Sequence, residues 1–104
     1  MGKRERITIK ASAICAFVFR QTEGEWQVLL LYRSEDRDPG GFWCQVAGGI
    51  EKGERAWEAA LREIHEETAL VPDNLYSTDR CEQFYNARDE AIVINPVFCA
   101  MVAD

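Results

Sequence analysis

The chain lacks the features that mark most zinc, disulfide, membrane and duplex-binding proteins. Its four cysteines, Cys15, Cys44, Cys81 and Cys99, form no C-x-x-C pair and no zinc-ligand spacing. No apolar run is long enough to span a membrane. No run of Lys and Arg exceeds Lys3-Arg4, and the net charge is −6, which argues against nonspecific duplex binding. We expect a cytoplasmic protein with buried, reduced thiols, although the even count would also allow two disulfides.

The size of the chain limits its organisation. With 104 residues and 47% hydrophobic composition, it is expected to form one compact domain with a modest core. The acidic balance, with a pI near 4.8, still allows a polyphosphate ligand, provided that metal ions neutralise the contact.

The first half of the chain predicts strands. Ile7 to Arg20 and Trp26 to Arg33 are rich in β-branched and apolar residues, and the turn between them predicts a hairpin. The second run, WQVLLLYR, is almost continuously apolar, which predicts a central strand covered on both faces. Ser34 to Gly41 is a polar loop, and Phe42 to Val46 predicts a short strand that leads to Gly48-Gly49.

The second half predicts one helix and two strands. A helix follows Gly53 and should stop before Pro72, which disfavours helical geometry in the residue before it. Leu75 to Phe84 is a weaker strand candidate, and Ala91 to Val102 is a strong one after a polar turn at Asn86 to Glu90.

The predicted helix has three faces. At about 100° per residue, Glu63, Glu66 and Glu67 lie on one face, behind the small residues Ala56 and Ala59. The other positions divide into a core stripe (Ala60, Ile64, Trp57, Thr68 and Leu61) and a solvent arc (Arg55, Glu58, Arg62 and His65).

The acidic face needs an explanation, because like charges at these spacings cost a helix a few tenths of a kcal/mol per pair. The glutamates also lie near the C-terminus, where the macrodipole disfavours anions. A hard divalent cation such as Mg²⁺ would offset both effects. The alternative is a solvated acidic face without a ligand.

The spacing around the helix favours the first interpretation. Gly48, Glu54, Arg62, Glu63, Glu66 and Glu67, with aliphatic Ile64 and Leu70, resemble the Nudix box, G-x5-E-x7-R-E-U-x-E-E-x-G-U, in which U is aliphatic. The departure is Ala69, where the family has glycine. A left-handed residue at that position costs alanine about 1 kcal/mol, so the helix is expected to end differently here.

The resemblance implies an α/β (α+β) Nudix fold, a mixed β-sheet sandwiched by helices. Family domains usually continue into another strand and a second helix on the other face of the sheet. Residues 1–104 are therefore expected to be a single Nudix domain that is incomplete at its C-terminus, or one whose open face a partner covers. A homodimer is left open.

The resemblance also implies the roles of individual residues. Glu63, Glu66 and Glu67 would hold Mg²⁺, or Mn²⁺ in its place, with the backbone carbonyl of Ala47 as a further ligand and the backbone of Gly48 close by. Glu54 and Arg62 would form a supporting pair that orients the ligands. The alternative for the arginine is a surface pair with Glu58.

The substrate implied by the resemblance is a nucleoside diphosphate linked to another group. Arg33 would contact a phosphate, and base recognition would come from aromatic residues, which are otherwise core residues: Phe42, Trp43, Phe84 and Tyr85. The run D-P-G-G-F-W is similar to that of dATP and dihydroneopterin triphosphate pyrophosphohydrolases. These features predict Mg²⁺-dependent release of a nucleoside monophosphate and pyrophosphate. ADP-ribose or dinucleoside polyphosphate hydrolysis, and nucleotide binding without cleavage, are the alternatives.

Overall fold

The computed structural model describes residues 6–103, and residues 1–5 and 104 lie outside the described part. The described chain folds into eight strands and one helix. In chain order these are β1 (Thr8–Lys10), β2 (Ala13–Thr22), β3 (Glu25–Val28), β4 (Leu31–Arg33), β5 (Phe42–Cys44), β6 (Val46–Gly49), α1 (Ala56–Thr68), β7 (Asn74–Asn86) and β8 (Ala91–Met101).

Six of the strands form one mixed sheet. Strand β2 runs parallel to β8 and antiparallel to both β3 and β6. Strand β8 also pairs with β1 in parallel and with β7 in antiparallel orientation. Strands β4 and β5 form a separate two-stranded sheet. The mixed sheet with its helix confirms the predicted α+β class.

The prediction of a central second strand is wrong. The run WQVLLLYR breaks after Val28, and β3 lies at the edge of the sheet, where Trp26 is 62% exposed. Leu29 and Leu31 pack against the core from one side, while β4 leaves the sheet to pair with β5. A continuous apolar run therefore marks a chain that turns onto the core, instead of a strand covered on both faces.

Other predicted strands are subdivided or extended. Ile7 to Arg20 is two strands, β1 and β2, and Phe42 to Val46 divides at Gln45 between two sheets. Strand β7 is longer than predicted and contains a register shift between Ser77 and Arg80. The strong final strand is found as β8, preceded by the predicted turn.

The core lies between α1 and one face of the large sheet. The helix contributes Ala59, Ala60 and Ile64, all fully buried. The sheet contributes Ile14, Ala16, Val18, Val46, Phe98 and Ala100. Trp57, predicted for the buried stripe, is 47% exposed, and Ala59, predicted for the acidic face, is buried. Two adjacent alanines allow a close approach of helix and sheet, so burial is centred on them and not on the larger side chain.

The opposite face of the sheet carries no helix from the described residues. Cys15, which alternation places on that face, is 1% exposed, whereas Cys81 on β7 is exposed, so the prediction of buried thiols fails for Cys81. All four cysteines are free. Among the described residues no helix is both long and apolar enough to cross a membrane.

Ala69 ends the helix in the left-handed conformation despite its side chain. Its φ is 63°, and its N–H donates to the carbonyl of His65 at 2.8 Å. The expectation of a different helix end is therefore wrong. The cap forms because the rest of the structure supplies the free energy that alanine loses there.

Replacing Ala69 with glycine should stabilise the protein by about 1 kcal/mol, because glycine adopts this φ without the Cβ clash. Urea unfolding monitored by circular dichroism measures the change. Ala60→Gly is the control, since it is a mid-helix position, and it should destabilise by about 1 kcal/mol or more. Equal or lower stability of Ala69→Gly would contradict the assigned cap.

Candidate active site

Glu63 occupies a space that only a glycine leaves open. Strand β6 places Gly48 in register with Ile14, on the face that α1 covers. A Cβ atom at Gly48 would overlap the carboxylate of Glu63. The Glu63 side chain is only 15% exposed, whereas that of Glu66 is 54% exposed. The first residue of the motif therefore acts through its missing side chain, which lets an acid lie against the strand.

Arg62 is the centre of the acid cluster and not a solvent-facing residue. Its Nε and Nη2 donate to the two carboxylate oxygens of Glu54 at 2.9 and 3.0 Å. Its Nη1 donates to Glu63 at 2.7 Å and to Glu66 at 3.2 Å. Nη2 also donates to the carbonyl of Gly49 at 2.7 Å. The wheel placed Arg62 on the solvent arc because it ignores the length of the side chain, which reaches back across the face.

The Glu54–Arg62 pair joins the turn before α1 to the helix itself. Glu54 also accepts a hydrogen bond from the backbone N–H of Glu51 at 3.0 Å. The Arg62 guanidinium, followed by this backbone N–H, lowers the pKa of Glu54 to about 2. Glu58, the alternative partner of the arginine, instead accepts a hydrogen bond from the Arg55 N–H at the start of the helix.

Glu67 has the opposite electrostatic character. Partial burial raises its pKa to about 7, and a hydrogen bond with Glu63 and the charges of Glu63 and Glu66 add to the effect. The charge of Arg37 acts in the other direction. Sequence reasoning missed Arg37, since nothing distinguishes it from any arginine in a polar loop. The loop from Ser34 to Gly41 brings it near the acids.

The carboxylates fit a divalent cation chemically, but they are not arranged around one. Across residues 6–103, no three His, Cys, Asp or Glu side chains converge as a preformed metal site. Arg62 holds two of the three glutamates, and the raised pKa of Glu67 reports the remaining repulsion. A cation beside Glu63, Glu66 and Glu67 would take over part of the neutralisation that Arg62 provides. The ligand roles of these glutamates, Ala47 and Gly48 stay predictions.

The predicted substrate residues lie in three places. Arg33 ends β4, and its Nε donates to the carbonyl of Pro39, so its guanidinium closes the polar loop. Phe42 and Trp43 lie on the exposed β4–β5 hairpin, where Trp43 stacks edge-on against Tyr32 at 5.1 Å between ring centroids. Strand alternation puts Phe84 and Tyr85 on opposite faces of β7, so they cannot line a single pocket together.

Comparison with known proteins identifies the family. The model of the NUDIX domain matches residues 9–102, almost the whole chain. The chain belongs to the Nudix family. Members of this family generally use divalent cations, in agreement with the acidic cluster on α1.

Similar Nudix proteins include two with named substrates. The chain is 30% identical over 84 residues to the asymmetrical bis(5'-nucleosyl)-tetraphosphatase of Caenorhabditis elegans, covering 79% of this chain and 57% of that protein. It is 46% identical over 44 residues to the dihydroneopterin triphosphate diphosphatase of Escherichia coli, covering 42% of this chain and 27% of that protein. The chain thus spans little more than half the length of the first relative and about a quarter of the second.

Solved structures show the same Nudix fold. That of the E. coli dihydroneopterin triphosphate pyrophosphohydrolase superposes with a TM-score of 0.68 and 26% identity over 93% of this chain and 71% of that one. Shewanella oneidensis NrtR superposes with a TM-score of 0.72 over 88% of this chain and 42% of that one, but its 22% identity indicates the fold alone. NrtR has been crystallised with ADP ribose and with a 27mer DNA.

Gly48→Ala should displace the Glu63 carboxylate and lower Mg²⁺ affinity by tenfold or more, as measured by isothermal titration calorimetry. Gly49→Ala is the matched control, because a Cβ there would meet only the Ser12 carbonyl at 3.8 Å, an ordinary contact. The control should bind Mg²⁺ like the original protein. Equal affinity in the two variants would contradict the cradle for Glu63.

Mg²⁺ binding should release a proton from Glu67. A carboxyl group with a raised pKa holds its proton more tightly in the folded state, so the metal-free protein loses stability as pH rises from 4.5 to 7. A cation must displace that proton, and its affinity should therefore rise with pH up to about 7. Calorimetry at pH 6 in buffers of different ionisation enthalpy counts the protons. Proton release that persists in Glu67→Gln would contradict the assignment.

Proposed function

We propose that the protein is a Mg²⁺-dependent Nudix hydrolase that cleaves a (d)NTP-like substrate to a nucleoside monophosphate and pyrophosphate. The observation that carries the proposal is the acid cluster, in which three glutamates of one helix lie around a single arginine beside a glycine strand. All six polar and glycine positions of the motif up to Glu67 are present. The named activities of the C. elegans and E. coli relatives support the reaction class.

Hydrolysis of a phosphoanhydride requires positioning and charge neutralisation more than covalent chemistry from the protein. A divalent cation held by Glu63, Glu66, Glu67 and the Ala47 carbonyl would neutralise the phosphate charge and lower the pKa of a bound water. Glu67 is suited to accept a proton from the attacking water, because its pKa of about 7 lies near neutral pH.

The supporting residues hold this arrangement in place. Arg62 and Glu54 fix the turn before α1, and the Arg62 guanidinium contacts the carbonyl of Gly49 on the glycine strand. Arg33 stabilises the loop that carries Arg37, which brings positive charge to the side of Glu67 from which a polyphosphate would enter. Phe42 and Trp43 remain candidates for stacking on a base from the β4–β5 hairpin.

Two alternatives have specific support. The relative from C. elegans is a tetraphosphatase, which favours a dinucleoside polyphosphate as substrate. The structural neighbour NrtR binds ADP ribose and DNA, which favours a sensor that holds a nucleotide without cleaving it. The negative charge of this chain disfavours a duplex ligand, and no homodimer is needed by the proposed site.

Glu67→Gln should leave the fold intact and lower the turnover rate by orders of magnitude. Products are identified by mass spectrometry after incubation with Mg²⁺ and a panel of dNTPs, NTPs, dihydroneopterin triphosphate, ADP-ribose and diadenosine polyphosphates. His65→Gln, an exposed position on the same helix, is the control and should cleave normally. Cleavage of no panel member by the original protein, together with tight nucleotide binding, would replace the hydrolase with the sensor.

A further inference from the structure

A buried amide on the helix-free face of the sheet has no partner. Asn95 on β8 is 9% exposed, and its Oδ1 accepts no hydrogen bond from the described residues. A buried polar atom without a hydrogen bond costs on the order of 1–3 kcal/mol. Such an atom is rare in a native structure unless a ligand or water satisfies it. The proposed reaction and the Nudix motif give it no task.

The neighbours of Asn95 are polar as well. Register places Glu82 of β7 directly opposite Asn95, so their side chains share one face at a Cβ separation of about 5 Å. Glu82 is exposed and offers only acceptors. Phe84, two residues along the same strand, is 48% exposed on the same face. An acceptor pair therefore lies beside an aromatic ring.

Cys15 connects this pair to the strand of the proposed metal site. It pairs with Ala47 of β6 on one side and with Val97 of β8 on the other. Its thiol lies 4.0 Å from the Pro96 carbonyl. Burial raises the pKa of Cys15 to about 11, with a contribution from the charge of Glu82 and an opposing hydrogen bond with Gln45. Both side chains therefore lie on the face that carries Asn95.

The distance across the sheet suits a nucleotide. From β6, which carries Ala47, to β7, which carries Glu82, the sheet crosses three strand spacings, or about 14 Å. A polyphosphate beside Glu63 at the edge of β6 would thus place its base over the helix-free face. This geometry depends on the proposed function only for the position of the phosphates.

We propose that Asn95 and Glu82 bind the donor edge of a 2-amino-4-oxopyrimidine ring, as found in guanine and pterin nucleotides. Two neighbouring acceptors require two neighbouring donors, and this edge supplies a ring N–H next to an amino group. Adenine, cytosine and hypoxanthine lack that combination. Phe84 lies where it can stack on the same ring.

The test compares ligands that differ at this edge. Affinities are measured by calorimetry with Mg²⁺ in the Glu67→Gln background, for GTP, ITP, dihydroneopterin triphosphate and inorganic tripolyphosphate. ITP lacks only the 2-amino group, and tripolyphosphate lacks the base. We expect GTP or dihydroneopterin triphosphate to bind at least about tenfold more tightly than ITP, the ratio for one charge-assisted hydrogen bond. The tighter of the two identifies the source of the ring.

Glu82→Gln should abolish this preference and leave tripolyphosphate affinity unchanged. Glu82 is exposed, so the variant is expected to fold, and Asn95→Ala, checked by thermal melting, tests the second acceptor. Glu90→Gln makes the same change of charge at the turn of the hairpin and should keep the preference.

An unchanged GTP-to-ITP ratio in Glu82→Gln, or equal loss of GTP and tripolyphosphate, would overturn the ring site. The result is separable from the proposed function. Cleavage of nucleotides by the original protein with equal affinity for GTP and ITP refutes the ring site alone. A ring preference without cleavage refutes the hydrolase alone.

Discussion

The repulsion among three carboxylates near one helix end is the constraint on which the rest of the structure depends. Glu63, Glu66 and Glu67 lie where both the helix dipole and their mutual charge disfavour them. A single guanidinium, that of Arg62, contacts two of them together with Glu54 and the Gly49 carbonyl. Without it the helix would present an uncompensated acidic surface. Glu67 retains the residual repulsion, which is why its pKa is raised while that of Glu54 is lowered.

The fold serves this cluster through close approach. Ala59 and Ala60 bring α1 against the sheet, and Gly48 leaves room for the Glu63 carboxylate beside β6. Strand β6 pairs with β2, which pairs with β8, so the acids are tied to the centre of the sheet. The same ladder carries Asn95 and Glu82 to the opposite face. One sheet thus connects a charged end for phosphates with a polar face suited to a ring.

The sequence was most informative where spacing determines structure. The helix, its acidic face and the family follow from residues 48–70, because a 3.6-residue period and fixed motif positions are local properties. The course of WQVLLLYR was predicted wrongly, since hydrophobicity does not say whether Leu29 and Leu31 enter the core from one face or two. Trp57 and Arg62 were misplaced for a related reason: a helical wheel gives the direction of Cβ but neither the depth of packing nor the reach of a long side chain.

Other parts of the candidate site had no sequence signal. The opposite faces of Phe84 and Tyr85 and the pairing of Glu82 with Asn95 depend on the register of β7 against β8, which a register shift after Ser77 sets. Ala69 shows the reverse case, in which a correct local rule predicted a cost but the surrounding structure imposed the left-handed cap regardless.

The central claim is that the three glutamates form a site for a divalent cation. Electron paramagnetic resonance of Mn²⁺ tests it directly, because bound Mn²⁺ loses the sharp signal of the free ion. The account predicts saturable Mn²⁺ binding that Mg²⁺ displaces and that Glu63→Gln and Glu67→Gln each weaken by at least tenfold. Undiminished Mn²⁺ binding in both variants, or none in the original protein at neutral pH, would contradict it.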